Sequence, residues 1–311
     1  RNEQGELRAF HNICRHRAHS VVSDSGTLEC LACPYHGWTY SLSGKLLRAT
    51  QLKGIKDFSN DDVALVPIAL AQWGPFLFVN FDRIDSRSKS AVVDHNLELE
   101  AFLGGAAQVL EAEGVVDPLA GNCLSPFGYT FVERRSYSMR CNWKVFADNY
   151  LDGGYHVPFA HKALCGGLDM STYRNILFDN VSLQCCTSGG MDERLGSDAT
   201  YAWVFPNLAI NRYGPWLETN TVYPAGNDPG KCVVHFDYFL AQTESERSDR
   251  SQWIKDCLGN SEVVQLEDIS LCENVQRGLE SYACMPGRYA PEVEEPLFHF
   301  HKRLFRELAK S

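Results

Sequence analysis

The chain has 311 residues, 44% of them hydrophobic and 22% charged, an ordinary globular composition sufficient for one large domain or two moderate ones. A formal net charge of −10 argues against nucleic acid as the main partner, and no run of eighteen apolar residues offers a membrane span. Twelve cysteines are scattered along the chain, and Cys185-Cys186 are adjacent and awkward to bridge, so most read as reduced, buried thiols of an intracellular protein.

The sequence starts at Arg1, without a methionine, inside strand-like residues (Leu7-Arg8-Ala9-Phe10). The natural amino terminus is therefore expected upstream, with any targeting segment outside this sequence. Residues 1–83 carry short apolar runs between Gly and Ser turns, at 38–42 before Ser43-Gly44 and at 76–81, and predict a small β domain. Residues 84–96 read as a linker and 97–110 as helical. Residues 97–311 predict a second, α+β domain. Its strands are expected at 129–139, 201–210 and 233–240 and its helices at 142–151, 261–280 and along Leu297, Phe300, Leu304 and Leu308.

Two groups of residues carry chemistry. The first is Cys14-Arg15-His16, followed by Cys33-Pro34-Tyr35-His36. Two cysteines on one iron and two histidines on the other is the ligation of a Rieske [2Fe–2S] centre. A Cys2His2 set also suits tetrahedral zinc, but zinc fingers pair Cys with Cys and then His with His. Here each loop supplies one of each, within β-type sequence, and Gly37 and Trp38 suit a tight loop packed against a cluster. His11 and His19 lie nearby and are not counted as ligands.

The second group is His156 and His161, preceded by Asn149 and Asp152, the two polar candidates for catalytic roles. A five-residue spacing puts the two rings about 140° apart on a regular helix. Gly153-Gly154 and Pro158 break that regularity and allow both imidazoles to turn onto one ion. A third ligand is offered by Asp268, which falls on the same helical stripe as Val264, Leu271, Val275 and Leu279. A carboxylate facing a core is costly unless paired or bound to metal, although a salt bridge or an exposed turn is its ordinary fate. Two histidines and one carboxylate form the facial triad of non-haem Fe(II) oxygenases.

These two constellations, in this order, resemble the Rieske non-haem iron oxygenases over essentially the whole chain. Residues 141–158 (Cys-Asn-Trp-Lys-Val-Phe-Ala-Asp-Asn-Tyr-Leu-Asp-Gly-Gly-Tyr-His-Val-Pro), 211–216 and 267–279 are similar in particular to the plant choline monooxygenase type. The resemblance implies a Rieske β domain followed by a helix-grip (START-like) catalytic domain with an antiparallel sheet. Cys14, His16, Cys33 and His36 would hold the [2Fe–2S] cluster, and His156, His161 and Asp268 a mononuclear Fe(II). It implies a ring of three subunits, O2 as co-substrate, residence in the chloroplast stroma and electrons from ferredoxin or a reductase. Acidic ferredoxin would suit the first fifty residues, where Arg1, Arg8, Arg15, Arg17, Lys45 and Arg48 outnumber Glu3, Glu6, Asp24 and Glu29. Family members commonly carry an acid three positions before the first iron histidine, bridging cluster to iron between subunits. That position is Gly153, and Asp152 is the nearest carboxylate able to take its place.

The implied reaction is hydroxylation of choline to betaine aldehyde hydrate, the first step towards glycine betaine. A quaternary ammonium is held by aromatic faces, and Trp203, Phe205, Tyr213 and Trp216 are the expected walls. Glu218 stands near as a counter-charge that is not assigned the role. Another quaternary amine, such as carnitine, or an aromatic ring is the alternative substrate. A non-catalytic Rieske carrier fused to a small-molecule-binding domain, or a zinc-stabilised module, is the alternative class.

Overall fold

A computed structural model of the chain describes residues 1–81, 95–115, 128–189, 194–196, 198–246 and 248–310. The chain divides into two compact units, Arg1–Leu99 and Glu100–Ser311. The linker expected over 84–96 lies mostly outside the described residues, and its last two residues already belong to a helix.

The first unit is the expected β domain. Strands β1 (Leu31–Ala32), β2 (Thr39–Tyr40) and β3 (Leu46–Arg48) form one small antiparallel sheet, and β4 (Ala69–Trp73) and β5 (Phe76–Asn80) form a hairpin. So little regular structure is held together by a core that includes the thiols themselves: Cys14 and Cys33 pack with Val21, Trp38, Tyr40, Leu46 and Leu65.

Helix α1 (His95–Leu103) and helix α2 (Gly105–Ala112) follow. The single helix expected over 97–110 is thus two, parted at Gly104, whose left-handed φ of 55° ends the first.

The second unit is built on one antiparallel sheet of seven strands. These are β6 (Tyr129–Met139), β7 (Leu168–Leu177), β8 (Val181–Ser188), β9 (Asp198–Val204), β10 (Leu208–Tyr213), β11 (Trp216–Ala225) and β12 (Asp228–Ala241). Their order across the sheet is β6-β12-β11-β10-β9-β8-β7. Period-two burial decides which face is covered: Cys232, Val234, Phe236, Tyr238 and Leu240 of β12 point into the core. The strand expected over 201–210 is really a hairpin, β9 turning into β10. Asn207 and Pro206 make that turn.

Helix α3 (Trp143–Tyr150), the short α4 (Val157–Ala160) and α5 (Lys162–Gly167) connect β6 to β7. The long α6 (Arg250–Leu279) and the closing α7 (Glu295–Leu308) complete the unit. Helix α6 is gripped along its apolar side by the core, through Trp253, Cys257, Leu258 and Cys272. It begins eleven residues before the expected start, because the stretch Arg250–Asn260 alternates apolar and polar residues at helical period. The expected stripe of α6 is half wrong. Val275 and Leu279 are 49% and 52% exposed, while the buried face runs through Ser261, Gln265 and Cys272. Asp268 lies on that face by the same helical spacing, between Gln265 and Cys272.

Candidate metal centres and active site

In the first unit, two tight loops present the sulfur and imidazole groups. Backbone bonds fold each one: Cys14 N donates to His19 O (2.8 Å), Ala18 N to Cys14 O (2.9 Å), Cys33 N to Trp38 O (2.8 Å) and Gly37 N to Cys33 O (3.0 Å). Both turns need a left-handed residue, supplied by Ala18 (φ 58°) and Gly37 (φ 70°). The thiols of Cys14 and Cys33 are buried, and the His16 and His36 rings stand 4.4 Å apart at the outer edge, His16 stacked on Trp38 at 4.9 Å. Burial acts against ionising Cys14, but hydrogen bonds from Tyr40 and from the His16 amide hold its pKa below the usual thiol value. Burial, then the charges of His16 and Arg17, lower the pKa of His36 and favour the neutral ring. Thiolate and neutral imidazole are the forms that bind metal. Zinc would gather four donors around one point. Among the described residues, the group with that convergence is a different one, and these four donors do not form one.

The convergent group is His156, His161 and Asp268, whose donor atoms lie within 4.8 Å of one another. Helix α3 starts at the Asn142 cap, whose Oδ1 accepts from Lys144 N (3.0 Å). It ends at Tyr150, and the chain then turns on Gly153 and Gly154, with φ of 71° and 76°. Both glycines are required twice over. A Cβ on Gly153 would stand 1.8 Å from the Val293 carbonyl oxygen, and one on Gly154 would meet the Tyr173 ring at 2.8 Å. Asp152 caps the new turn, accepting from Gly154 N and His156 N at 3.0 Å each. His161, between α4 and α5, has φ −114° and ψ 67°, outside helical geometry. That second break swings its ring back onto His156, so the Nε2 atoms are 3.0 Å apart. Asp268 of α6 brings its Oδ1 to 3.0 Å from His161 Nε2 and 3.6 Å from His156 Nε2.

Behind each ligand stands another polar group. The outer Nδ1 of His156 meets Asp152 Oδ2 at 2.5 Å, and that of His161 meets Glu267 Oε2 at 2.7 Å. Asn149 Nδ2 donates to Asp268 Oδ1 (2.7 Å). Carboxylates on both Nδ1 atoms fix the tautomer and leave both Nε2 lone pairs facing inward, beside an anionic oxygen. Such a set attracts a positive charge. Burial lowers the pKa of His161, but Asp268 and Glu267 outweigh it and hold it up at about 9. A proton takes the cation's place in the metal-free chain, so the donor set fits a divalent iron.

The triad lines one end of a cavity. Of the four aromatic walls expected, Tyr213 lines it and Trp203, Phe205 and Trp216 do not. Trp203 packs on Tyr150 (5.2 Å), Phe300 (6.0 Å) and Phe146 (6.4 Å), Trp216 on Trp253 (5.6 Å), and Phe205 under the Arg303 guanidinium (4.7 Å). The sheet face is the right one for both tryptophans. Position along the strands is what differs: the row Tyr201, Asn211, Glu218, Tyr238 runs across β9 to β12, and Trp203 and Trp216 lie two residues to either side, under other elements. The aromatic lining is instead Tyr150, Tyr173, Tyr201, Tyr213, Phe146 and Phe236.

Glu218 is the charge on the cavity wall, 4% exposed. Tyr213 OH donates to its Oε2 (2.7 Å), and Asn220 Nδ2 (2.6 Å) and Asn211 Nδ2 (3.1 Å) to its Oε1. Tyr150 OH in turn donates to Asn211 Oδ1 (2.6 Å). Burial, then Glu218, keeps the Tyr213 phenol far above its usual pKa, a neutral donor. Glu218 has no cationic partner among the described residues. Arg194 also lines the cavity, its guanidinium 5.6 Å from the Tyr213 ring.

Residues 1–59 match the Rieske [2Fe-2S] domain, and residues 128–310 match the ring hydroxylating alpha subunit (catalytic domain). The chain belongs to the Rieske ring-hydroxylating oxygenase family. Within this family it is 48% identical over 313 residues to the chloroplastic choline monooxygenase of Arabidopsis thaliana, covering 99% of this chain and 70% of the relative. It is 38% identical over 306 residues to that of Spinacia oleracea, covering 97% of the chain and 64% of the relative. The chain thus spans about two thirds of the length of these plant relatives. A solved quaternary ammonium Rieske monooxygenase in complex with L-carnitine superposes with a TM-score of 0.71 at 25% identity, over 96% of this chain and 78% of that one. Membership makes the chain an oxygenase with a Rieske [2Fe–2S] cluster and a mononuclear iron, and removes the carrier and zinc readings.

Two residues of the site were not anticipated. Glu267 was hidden because its side chain reaches back from the neighbouring helical position to His161, and Gln265 because a polar residue on a helix gives no sign of facing a cavity. Glu218 was seen and left unassigned.

Proposed function

We propose that the chain hydroxylates a quaternary ammonium alcohol, choline first, at its alcohol carbon to give the hydrated aldehyde. The observation that carries this is the buried Glu218, hydrogen-bonded by Tyr213, Asn211 and Asn220 and by no cation among the described residues, in an aromatic-lined cavity shared with His156, His161 and Asp268. A trimethylammonium group has no hydrogen to donate, so it is recognised by ring faces and a counter-charge. Tyr213, Tyr201 and Phe236 would supply the faces and Glu218 the charge, held rigid by its three donors.

In this reading Cys14, His16, Cys33 and His36 hold the cluster, and His156, His161 and Asp268 the iron. When bound, these groups supply reductive activation of O2 and C–H hydroxylation. The chain's own residues bind, orient and keep dry. Asp152 and Glu267 aim the imidazoles, Asn149 steadies the third ligand, and Leu164, Leu168 and Val157 exclude water. Asp152, tied to His156 Nδ1, takes the bridging place that Gly153 vacates, with a neighbouring subunit of a trimer supplying the cluster. The exposed Arg15 and Arg17 beside His16 suit an acidic ferredoxin as donor, and the chloroplast stroma is the corresponding compartment.

The test is turnover of the reduced, iron-loaded protein with O2 and a panel of choline, carnitine and aromatic compounds. Betaine aldehyde from choline supports the reading; hydroxylation of another compound with choline untouched overturns the substrate and keeps the reaction class. One second reading is a quaternary ammonium bearing a carboxylate, as in the solved carnitine-bound monooxygenase and the carnitine monooxygenase subunit to which this chain is similar. Preference for carnitine over choline in the panel would select it.

A further inference from the structure

Gln265 lies on α6 and is 4% exposed. Its Nε2 has no hydrogen-bond partner. It lines the cavity together with Ser261, Val264 and Asp268 of the same helix. The other amides and hydroxyls around it are committed within the protein: Asn149 to Asp268, Tyr213, Asn211 and Asn220 to Glu218, Tyr150 to Asn211, and Tyr173 to Gln184. A buried amide donor without an acceptor is unfavourable and rare unless a ligand or an ordered water completes it.

Helix α6 sets where that donor stands. Ser261 Oγ is 3.0 Å from Tyr238 OH, and Tyr238 is the cross-strand neighbour of Glu218. Asp268 is at the metal triad. Seven residues of helix separate the two, about 10 Å of axis, and Gln265 comes between them, roughly 4.5 Å before Asp268 on the same face. Along the cavity wall the carboxylate of Glu218 is therefore followed by the unpaired carboxamide of Gln265 and then by the metal ligands.

We infer that the Gln265 carboxamide hydrogen-bonds the hydroxyl group of the substrate and so sets which carbon faces the metal ligands. This rests on the quaternary ammonium alcohol reading above. With the ammonium at Glu218 and the oxygen on Gln265, the carbon bearing the hydroxyl is the one brought to His156, His161 and Asp268. The same carboxamide makes the cavity select for an alcohol over a plain alkyl ammonium, because an analogue without the hydroxyl leaves it unpaired.

The experiment is calorimetric binding to the iron-loaded full chain, comparing choline with ethyltrimethylammonium, which has the same cation and no hydroxyl. The wild-type protein is expected to bind choline at least roughly tenfold more tightly, and Gln265→Met to bind both with the weaker affinity. Iron content and cluster absorption should be unchanged, and product formed per O2 consumed should fall as choline loses its orientation. Equal wild-type affinity for the two cations overturns the role of Gln265 while keeping the cation site. A choline preference that survives in Gln265→Met also overturns it. Binding of neither cation overturns the substrate reading itself, and the inference with it. Should Gln265→Met lose its iron, the wild-type comparison decides alone.

Discussion

The Asp152 carboxylate sits 2.5 Å from Nδ1 of His156, the ring nitrogen other than the Nε2 that faces His161. It also accepts two backbone N–H groups of the turn that carries the ring, so one side chain fixes both the backbone and the imidazole. Removing its charge with Asp152→Asn is expected to lower iron affinity by roughly 10–100-fold. Chelator competition for iron, with cluster absorption as the control, measures this. Undiminished iron affinity would refute the positioning role. If Asp152 also carries electrons between subunits, the rate at which the reduced cluster is reoxidised in the presence of substrate and O2 falls further than iron loss explains.

Asp268 supplies the carboxylate of the triad. Asp268→Ala should keep the visible spectrum of the [2Fe–2S] cluster, lose one iron equivalent per chain, and form no product. Metal analysis beside the spectrum checks both halves. A variant that retains full iron and activity would mean a different carboxylate is the ligand.

His161 gives the pH dependence. Its pKa in the metal-free fold is about 9, against an ordinary 6.5. A raised imidazole pKa adds stability that is complete below the unfolded value and is lost as pH rises through the folded one. The metal-free protein should therefore lose melting temperature between about pH 6.5 and 9. Iron replaces the proton, so the iron-loaded protein should lack that slope, and iron affinity should weaken as pH falls below about 9. Melting curves of the two forms across this window settle the sign.

Gly153 cannot take a side chain. Its φ is 71°, and a Cβ would stand 1.8 Å from the Val293 carbonyl oxygen. Gly153→Ala should cost at least about 1–3 kcal/mol from the backbone conformation alone, and more from the clash. Because the turn carries His156, iron retention should fall along with melting temperature.

Glu218→Gln keeps a hydrogen-bonding side chain of the same shape and removes the charge. A cation brought into the cavity then has no counter-charge, and its affinity should fall roughly 100-fold. Iron and cluster contents are the controls. Unchanged affinity for choline would remove Glu218 from recognition.

Sequence spacing carried the metal sites far better than the substrate wall. Cys14, His16, Cys33 and His36 lie on two short loops, and His156 and His161 on one, so local order along the chain already groups them. Asp268 was reached by helical period, with a stripe whose lower half, Val275 and Leu279, proved exposed. The long α6 and the β9–β10 hairpin were misjudged in extent, because Gly259-Asn260 inside α6 reads as a break and because an apolar run crosses the turn at Pro206. Trp203 and Trp216 show the harder limit. Alternation tells which face of a sheet a ring takes, and only the register of four strands tells whether it stands in the hollow or under a helix.

The isolation of Glu218 screens guests by sign before it screens them by shape. An uncharged hydrocarbon settling against Tyr213 would bring no complementary charge to a carboxylate that only neutral side chains hydrogen-bond there, whereas a cation would. A neutral aromatic substrate would need that position neutralised first, so the step from amine to arene chemistry in this scaffold begins at residue 218.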